Sequence, residues 1–184
     1  MRLNPEMATP KPVEVRYGLL HNIGMAAVSV GMIVFVIFRF VTDPANAPTI
    51  SLNDTRFVMF SILALAMAYY VFIGLKRCLD RTPQLVIDHD GIMLGFGRDR
   101  RIPWSDIPWV GMRRLAIRPQ LQIGLAPETF LAADLKLSNW NLDDNLRSIR
   151  GTPAAVMVRD NGLDTSASAM LDAVKAFQPN LIKS

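Results

Sequence analysis

The sequence has few of the residues on which most metal and redox sites are built: one cysteine, Cys78, and two histidines, His21 and His89. A single cysteine cannot form an intramolecular disulfide or a cysteine-based zinc site, so nothing in the chain depends on an oxidising compartment. His21 begins an apolar run and His89 falls in a predicted turn, so they are poor partners for one site. We interpret Cys78 as an ordinary thiol just past an apolar run, in preference to a lipidated or redox-active one.

Two short motifs resemble ligand-binding loops but lack essential parts. Asp88 and Asp90 precede Gly91 as in a calcium loop, yet the further oxygen ligands and the closing glutamate are missing. Gly95-Phe96-Gly97 lacks the lysine, the serine and the following helix of a phosphate-binding loop. We therefore expect a protein that is not an enzyme and has no catalytic residue, cofactor or metal site. The net charge of +4 is mild, and we expect no nucleic-acid partner.

Charged residues are distributed unevenly along the chain. Residues 1–75 contain 5 Lys and Arg and 4 Asp and Glu, whereas residues 76–184 contain 15 and 12. The first part is therefore apolar, and the second has the composition of a soluble domain large enough for its own core.

Two apolar runs are long enough to cross a membrane. Residues 57–75 contain no charge, and at a rise of about 1.5 Å per residue they nearly span a hydrocarbon core of about 30 Å. The other run, residues 23–38, extends on both sides to 19–41, because Arg39 can snorkel to the headgroups. The small-x-small sequence Ala45-Asn46-Ala47 suggests a signal-peptide cleavage site instead, but the long polar region before the run and Pro48 after the site disfavour it.

The connection between the runs, residues 42–56, is short and polar and contains two prolines, so the spans must be antiparallel. Basic residues are more numerous at the outer ends of the two apolar runs than beside the connection between them. Six lie at the ends, Arg2, Lys11, Arg16, Lys76, Arg77 and Arg81, and two bound the loop, Arg39 and Arg56. By the positive-inside rule we expect a multi-pass membrane protein with both termini in the cytoplasm.

Small residues recur along one stripe of each run, where they allow helix backbones to approach closely in lipid. The stripes are Gly24, Ala27 and Gly31 in the first run and Ser61, Ala64 and Ala68 in the second. They predict either a tight hairpin within one chain or pairing between two copies.

From residue 83 to 178 the pattern predicts a mostly antiparallel β domain, preceded by a cytoplasmic segment 1–18, the membrane hairpin 19–75 and a linker 76–82. Residues 84–88 and 92–96 alternate around a turn in which Gly91 takes positive φ. A strand 110–118 is expected to pair with residues 120–125 across Pro119. The domain is followed by a tail, residues 179–184.

The end of the domain departs from this regular pattern. Residues 127–150 predict an insertion with one or two short helices, one of them capped near Asn141 and ending at Arg147. A last strand, residues 154–159, leads to a closing helix 165–177 capped by Thr165 or Ser166. Its covering face is expected to include Ala169, Leu171, Val174 and Phe177.

Three strings, LVIDHDGI, RIPWSDI and GTPAAVMVRDNGLDTSASAMLDAVKAF, resemble a bacterial family of small proteins with two membrane spans and a cytoplasmic PH-like domain. The likeness covers residues 20–178, and the family has no established function. It implies a protein of the bacterial inner membrane with a seven-stranded bent sheet capped by a C-terminal helix and with Trp104 packed in the sheet interior. Of Trp104 and Trp109, we expect only Trp109 to be exposed. Residues 127–150 depart from a plain PH-like domain.

A set of basic residues follows the first predicted hairpin, and we name it the arginine set. Its members are Arg98, Arg100, Arg101, Arg113, Arg114 and Arg118. Facing the bilayer, each would gain about 1 kcal/mol from anionic headgroups. The alternative is a solvated strand surface with Asp99 and Asp106 as partners.

These features predict a non-enzymatic membrane-anchored binding or scaffold module that contacts anionic lipid, a protein partner or a second copy. An accessory subunit of a larger membrane complex is the alternative. Two spans without ionisable residues in their centres offer no path for a solute or proton, which disfavours a transporter.

Overall fold

The computed structural model describes residues 10–95, 100–115, 118–132, 146–149 and 152–183. The chain divides into two compact units. One, the helical hairpin, contains Gly18–Arg81, and the other, the β unit, contains Met1–Tyr17 together with Thr82–Ser184. The hairpin is thus inserted into the β unit along the chain.

The hairpin consists of helix α1, Leu19–Thr42, and helix α2, Thr55–Leu79, which pack against each other. A 3₁₀ turn, Pro44–Asn46, lies in their connection. Both helices are long and apolar enough to cross a membrane, and only 11% of the most apolar window of each is buried. The core helix of a soluble protein would bury most of such a surface, and these two helices leave most of it exposed. The prediction of two long apolar helices is confirmed.

The loop end of the hairpin is held by one carboxylate. Asp54 precedes α2 as its N-cap and accepts a hydrogen bond from the Arg56 backbone N–H at 2.9 Å. Its other oxygen accepts from the backbone N–H and the hydroxyl of Thr49, at 2.8 and 2.9 Å. The Thr49 backbone donor, the Thr49 hydroxyl and the Arg56 backbone donor favour the ionised form and hold the pKa of Asp54 at about 2.

The described residues of the β unit form two sheets, in which all neighbouring strands except one parallel pair are antiparallel. The first has the order β1–β2–β3–β4, formed by Val13–Val15, Leu85–Ile87, Gly91–Leu94 and Arg100–Pro103. The second contains β5 Val110–Leu115, β6 Arg118–Gly124, β7 Leu146–Ile149, β8 Thr152–Val158 and β9 Ile182–Lys183, in the order β7–β8–β6–β5–β9. The parallel pair is β9 with β5.

The core of the β unit lies between the inward faces of the strands and the closing helix. Leu85, Ile92, Leu121 and Val156 are among its fully buried side chains. Helix α3, Pro127–Ala132, follows β6, and helix α4, Ala167–Phe177, packs on the core. The burial of these side chains is the main stabilising contribution to the unit.

Helix α4 starts two residues later than the sequence predicts. The Ser166 hydroxyl accepts from the Ala169 backbone N–H at 3.2 Å and caps the helix, as one of the two predicted caps. Ala167, Met170 and Val174 form its buried face, with Leu171 and Phe177 beside them, whereas Ala169 is exposed. The prediction of Ala169 on the covering face was wrong because a 3.6-residue period through 170 and 174 turns it toward solvent.

The turn between β2 and β3 has the predicted geometry. Gly91 has φ of 152°, and an added Cβ would lie 2.0 Å from the Ile102 carbonyl oxygen, so both the backbone and the neighbouring strand require glycine. The Asp88 carboxylate accepts from the backbone N–H groups of Asp90 and Gly91, at 2.9 and 3.2 Å. This Asx-type arrangement fixes the turn.

The structure differs from the sequence analysis at three other places. The sequence predicts a separate segment at residues 1–18, whereas Val13–Val15 forms β1 and pairs with β2. A helix ending at Arg147 was expected, but Leu146–Ile149 is a strand paired with β8, and residues 133–145 lie outside the described part. Pro119 lies inside β6, opposite Arg114, instead of between two strands.

The resemblance implied seven strands in one bent sheet. The described residues form nine strands in two sheets, because segments from both ends of the chain add β1 and β9. What the structure supports is the coarser description, a pair of long apolar helices with antiparallel β-sheets.

Candidate functional site

Only part of the arginine set falls on described side chains. Arg101 and Arg113 do, and they lie on different sheets, on β4 and β5. Arg98 and the side chains of Arg100, Arg114 and Arg118 lie outside the described residues.

Arg101 is engaged by two carboxylates. Its guanidinium lies 2.7 Å from Asp88 and 2.8 Å from Asp90, at separate nitrogens. The Asp88 side chain is 7% exposed, so the Arg101 charge compensates a nearly buried anion. Among the described residues, Asp88 and Asp90 are therefore the carboxylate partners of this arginine, and Asp99 lies outside that part of the chain.

The same turn gathers further polar groups, and we call Asp88, His89, Asp90, Arg101 and Trp104 the turn cluster. The Trp104 indole N–H donates to the Asp88 backbone carbonyl at 3.0 Å while its ring packs partly against the core. His89 Nε2 lies 3.0 Å from Asp90 Oδ1, and both side chains are mostly exposed. Beside the imidazole, the cluster has two carboxylates and one guanidinium, so it attracts anionic headgroups poorly.

The turn cluster also places three side chains that could ligate a metal close together. Carboxylate and imidazole atoms of Asp88, His89 and Asp90 lie within 4.8 Å of one another. A cation there would have to displace the Arg101 guanidinium from both aspartates, and one of these also holds the turn through backbone hydrogen bonds. The arrangement is therefore that of an ion-paired turn.

Arg113 belongs to the outward face of the second sheet, which we call the Trp109 face. Arg113 is exposed and lies opposite Gln120 on β6. Trp109 lies over Gly124, where an added Cβ would be 2.5 Å from the indole, and the Lys183 ammonium lies 5.3 Å from the indole ring centroid. Trp109 is thus half-buried under a cation–π contact, contrary to the prediction that it is exposed.

The Trp109 face has the features of a polar contact surface. It combines the cations of Arg113 and Lys183 with the aromatic ring of Trp109. Gln120 is 7% exposed, and its Oε1 has no hydrogen-bond partner among the described residues. Arg113 was predicted from the sequence and Lys183 was not, because the pairing of β9 with β5 joins residues far apart in the chain.

The predicted helix-packing residues do not form the contact between α1 and α2 in the expected way. Gly24, Ala27 and Gly31 are exposed, and an added Cβ at either glycine would have no described atom within 4 Å. In α2, Ser61 is half-buried, whereas Ala64 and Ala68 are exposed.

The close approach of the helices is made elsewhere, by Gly74 on α2. A Cβ at Gly74 would lie 2.8 Å from the Asn22 carbonyl oxygen and 3.0 Å from Ala26 Cβ. Asn22 is fully buried, Arg77 is nearly so, and an Arg77 nitrogen lies 3.5 Å from Asn22 Oδ1. These buried polar side chains identify the face of each helix that is packed.

Comparisons with protein families, with curated proteins and with solved structures give no match for this chain.

Proposed function

We propose that this chain is a membrane-anchored, non-enzymatic binding module of the bacterial inner membrane, with both termini in the cytoplasm. Helices α1 and α2 span the bilayer in this proposal, and the β unit is PH-like and contacts anionic lipid headgroups. The observation that carries it is the pair of long helices whose apolar surfaces are almost wholly unburied. Lipid is the solvent that satisfies such surfaces.

The chain connections support a role at the membrane surface. Strand β1 ends at Val15 and α1 begins at Leu19, while α2 ends at Leu79 and β2 begins at Leu85. Because β1 and β2 are paired, the two ends of the hairpin leave from neighbouring strands by short links. Two short links restrict the β unit more than one flexible linker would.

The Trp109 face is the surface that we assign to headgroup contact, in place of the full arginine set. Arg113 is exposed and has no ion pair within the described part of the chain, whereas Arg101 is neutralised by Asp88 and Asp90. Trp109 adds an amphipathic ring of the kind that favours membrane interfaces.

Hydrogen exchange of the full-length chain in lipid nanodiscs tests this assignment. We expect slower exchange in β5 and β6 with phosphatidylglycerol than with phosphatidylcholine, and loss of this difference in an Arg113→Gln/Lys183→Gln variant. Arg101→Gln is the matched control and should keep the difference. Equal exchange in both lipids would exclude headgroup binding by this face and leave a protein partner as its ligand.

A second candidate function is that of an accessory subunit in a larger membrane complex or a homo-oligomer. The observation that favours it is the outward position of Gly24 and Gly31, which the hairpin itself does not use. Close helix packing in lipid uses such residues. Gly24→Leu/Gly31→Leu should then abolish co-purification of partner subunits in mild detergent, and unchanged co-purification would exclude this face as the contact.

A further inference from the structure

Strand β5 is paired along its whole length on one side and only at its start on the other. On one side it pairs with β6, from Val110 opposite Ile123 to Leu115 opposite Arg118. On the other side, within the described part of the chain, it pairs with β9 at Val110 and Gly111 only. Strand β9 shows that this edge of the sheet pairs with an extended segment, and the rest of β5 continues the same edge.

The hydrogen-bond pattern of β5 indicates which backbone groups face the unpaired edge. The Gly124 N–H donates to the Trp109 carbonyl at 2.8 Å, so every second residue counted from Trp109 bonds to β6. The residues between them, Met112 and Arg114 on the unpaired part, direct their N–H and C=O groups to the opposite edge. Pro119, which has no N–H, lies opposite Arg114 and is tolerated by this alternation. Each of the two residues therefore offers a donor and an acceptor to a further strand.

The charge of these strands is of one sign. The adjacent strands β9, β5 and β6 contain four basic residues and no acidic one: Lys183, Arg113, Arg114 and Arg118. Arg113 is exposed and has no ion pair among the described residues. An acidic strand would therefore gain ion pairs as well as backbone hydrogen bonds. A second copy paired through β5 would instead place arginines beside arginines, which destabilises an antiparallel ladder.

We propose that the open edge of β5 binds an extended, acidic segment of a partner protein, which adds to the second sheet beyond the end of β9. Backbone hydrogen bonds to Met112 and Arg114 supply affinity, and acidic side chains beside Arg113 supply specificity. The proposal goes beyond lipid contact by the Trp109 face, because it uses backbone groups at the sheet edge and holds in any lipid.

Residue-resolved hydrogen exchange of the full-length chain in phosphatidylcholine nanodiscs tests this proposal. The probes are two short blocked peptides of equal length, one alternating Glu and Val and the other alternating Lys and Val. We expect the Glu-Val peptide, at about ten times its dissociation constant, to slow exchange about tenfold at the Met112 and Arg114 amides. The Gly111 and Arg113 amides, which already face β6, should not change. The Lys-Val peptide should leave all four amides unchanged.

A charge reversal gives an independent arm. Arg113→Glu should weaken binding of the Glu-Val peptide by at least about tenfold, because it replaces attraction by repulsion. Lys11→Glu, at an exposed position beside the first sheet, is the matched control and should behave like the wild type.

Three outcomes would overturn the proposal. Equal protection by both peptides, or by neither, would remove the preference for an acidic strand. Equal slowing at Met112 and Arg113 would indicate adsorption to the sheet face instead of strand addition. A β5 that is slowed by phosphatidylglycerol but by neither peptide would assign these cations to headgroups alone.

Discussion

At the scale of single residues, the contacts of an arginine decide whether it serves binding or stability. Arg101 joins β4 to the turn between β2 and β3 through two carboxylates, one of them nearly buried. A guanidinium in this position compensates a desolvated charge, and its removal leaves Asp88 without an ionic partner.

We expect Arg101→Gln to lower the free energy of unfolding by about 1 kcal/mol, a value reduced because the arginine is itself partly exposed. Denaturant unfolding of the full chain in detergent, followed by tryptophan fluorescence, measures the change. Arg113→Gln is the matched control and should stay within about 0.5 kcal/mol. Equal effects of the two substitutions would show that the ion pairs of Arg101 contribute nothing.

A second prediction at this scale concerns the Asp54 carboxyl. Its pKa of about 2 in the folded chain lies below the reference value of 3.8, so its stabilisation of the loop is present above that reference and is lost as the pH falls through 2. Carbon-detected NMR of the labelled carboxyl should give a midpoint near pH 2. Thr49→Val removes the hydroxyl donor and should raise the pKa, whereas a wild-type midpoint near pH 4 would contradict the observed hydrogen bonds.

At the scale of elements, the register of the hairpin depends on Gly74. The backbone of α1 at Asn22 and the Ala26 side chain occupy the space that a side chain at Gly74 would need. We expect Gly74→Leu to destabilise the hairpin by about 1–3 kcal/mol, in the range of overpacked cores, and to lower the melting temperature in detergent.

Gly24→Leu is the control for this prediction, because the space around Gly24 is open. It should leave the melting temperature of a monomeric chain unchanged. A larger effect at Gly24 than at Gly74 would place the helix contact on the opposite face of α1.

Elements with strong local signals were predictable from the sequence. The long charge-free runs predicted both helices, and the turn at Asp88–Gly91 predicted the first β-hairpin. Each of these signals is contained in one continuous segment of the sequence. Strand β1 was missed because its three residues show no period and its partner lies beyond the whole hairpin. Strand β7 was missed because polar residues around it resembled a helix cap.

The site was less predictable than the fold because its contacts join residues that are distant in the sequence. The ion pairs of Arg101 depend on the register of β3 with β4, and the contact of Lys183 with Trp109 depends on a two-residue parallel pairing. The small residues of α1 predicted a packed face that is exposed in the structure. The buried side chain of Asn22 lies on the face of α1 that is packed.

At the scale of the whole molecule, the β unit is assembled from both sides of the hairpin. Val15 is fully buried in β1 and its carbonyl accepts from the Gln84 backbone N–H at 2.7 Å. Folding of the β unit therefore requires a segment that precedes α1, although most of the unit follows α2.

Val15→Asp should accordingly unfold or strongly destabilise the β unit, since it buries a charge without a partner, at a cost of about 3 kcal/mol or more. Limited proteolysis of the membrane-embedded full-length chain should then cleave within residues 82–184. Glu14→Gln, at an exposed position of the same strand, is the control and should remain resistant. Resistance of Val15→Asp would show that β1 is dispensable.

The central claim is that lipid surrounds α1 and α2, with the loop on one side of the membrane and the β unit on the other. Its most direct test is cysteine labelling in intact cells, in a Cys78→Ser background, with single cysteines at Ser51 in the loop and at exposed Ser168 on α4. The account predicts labelling at position 51 by a membrane-impermeant maleimide in intact cells, and at position 168 only after permeabilisation. Equal labelling of both positions in intact cells, or protection of both, would contradict it.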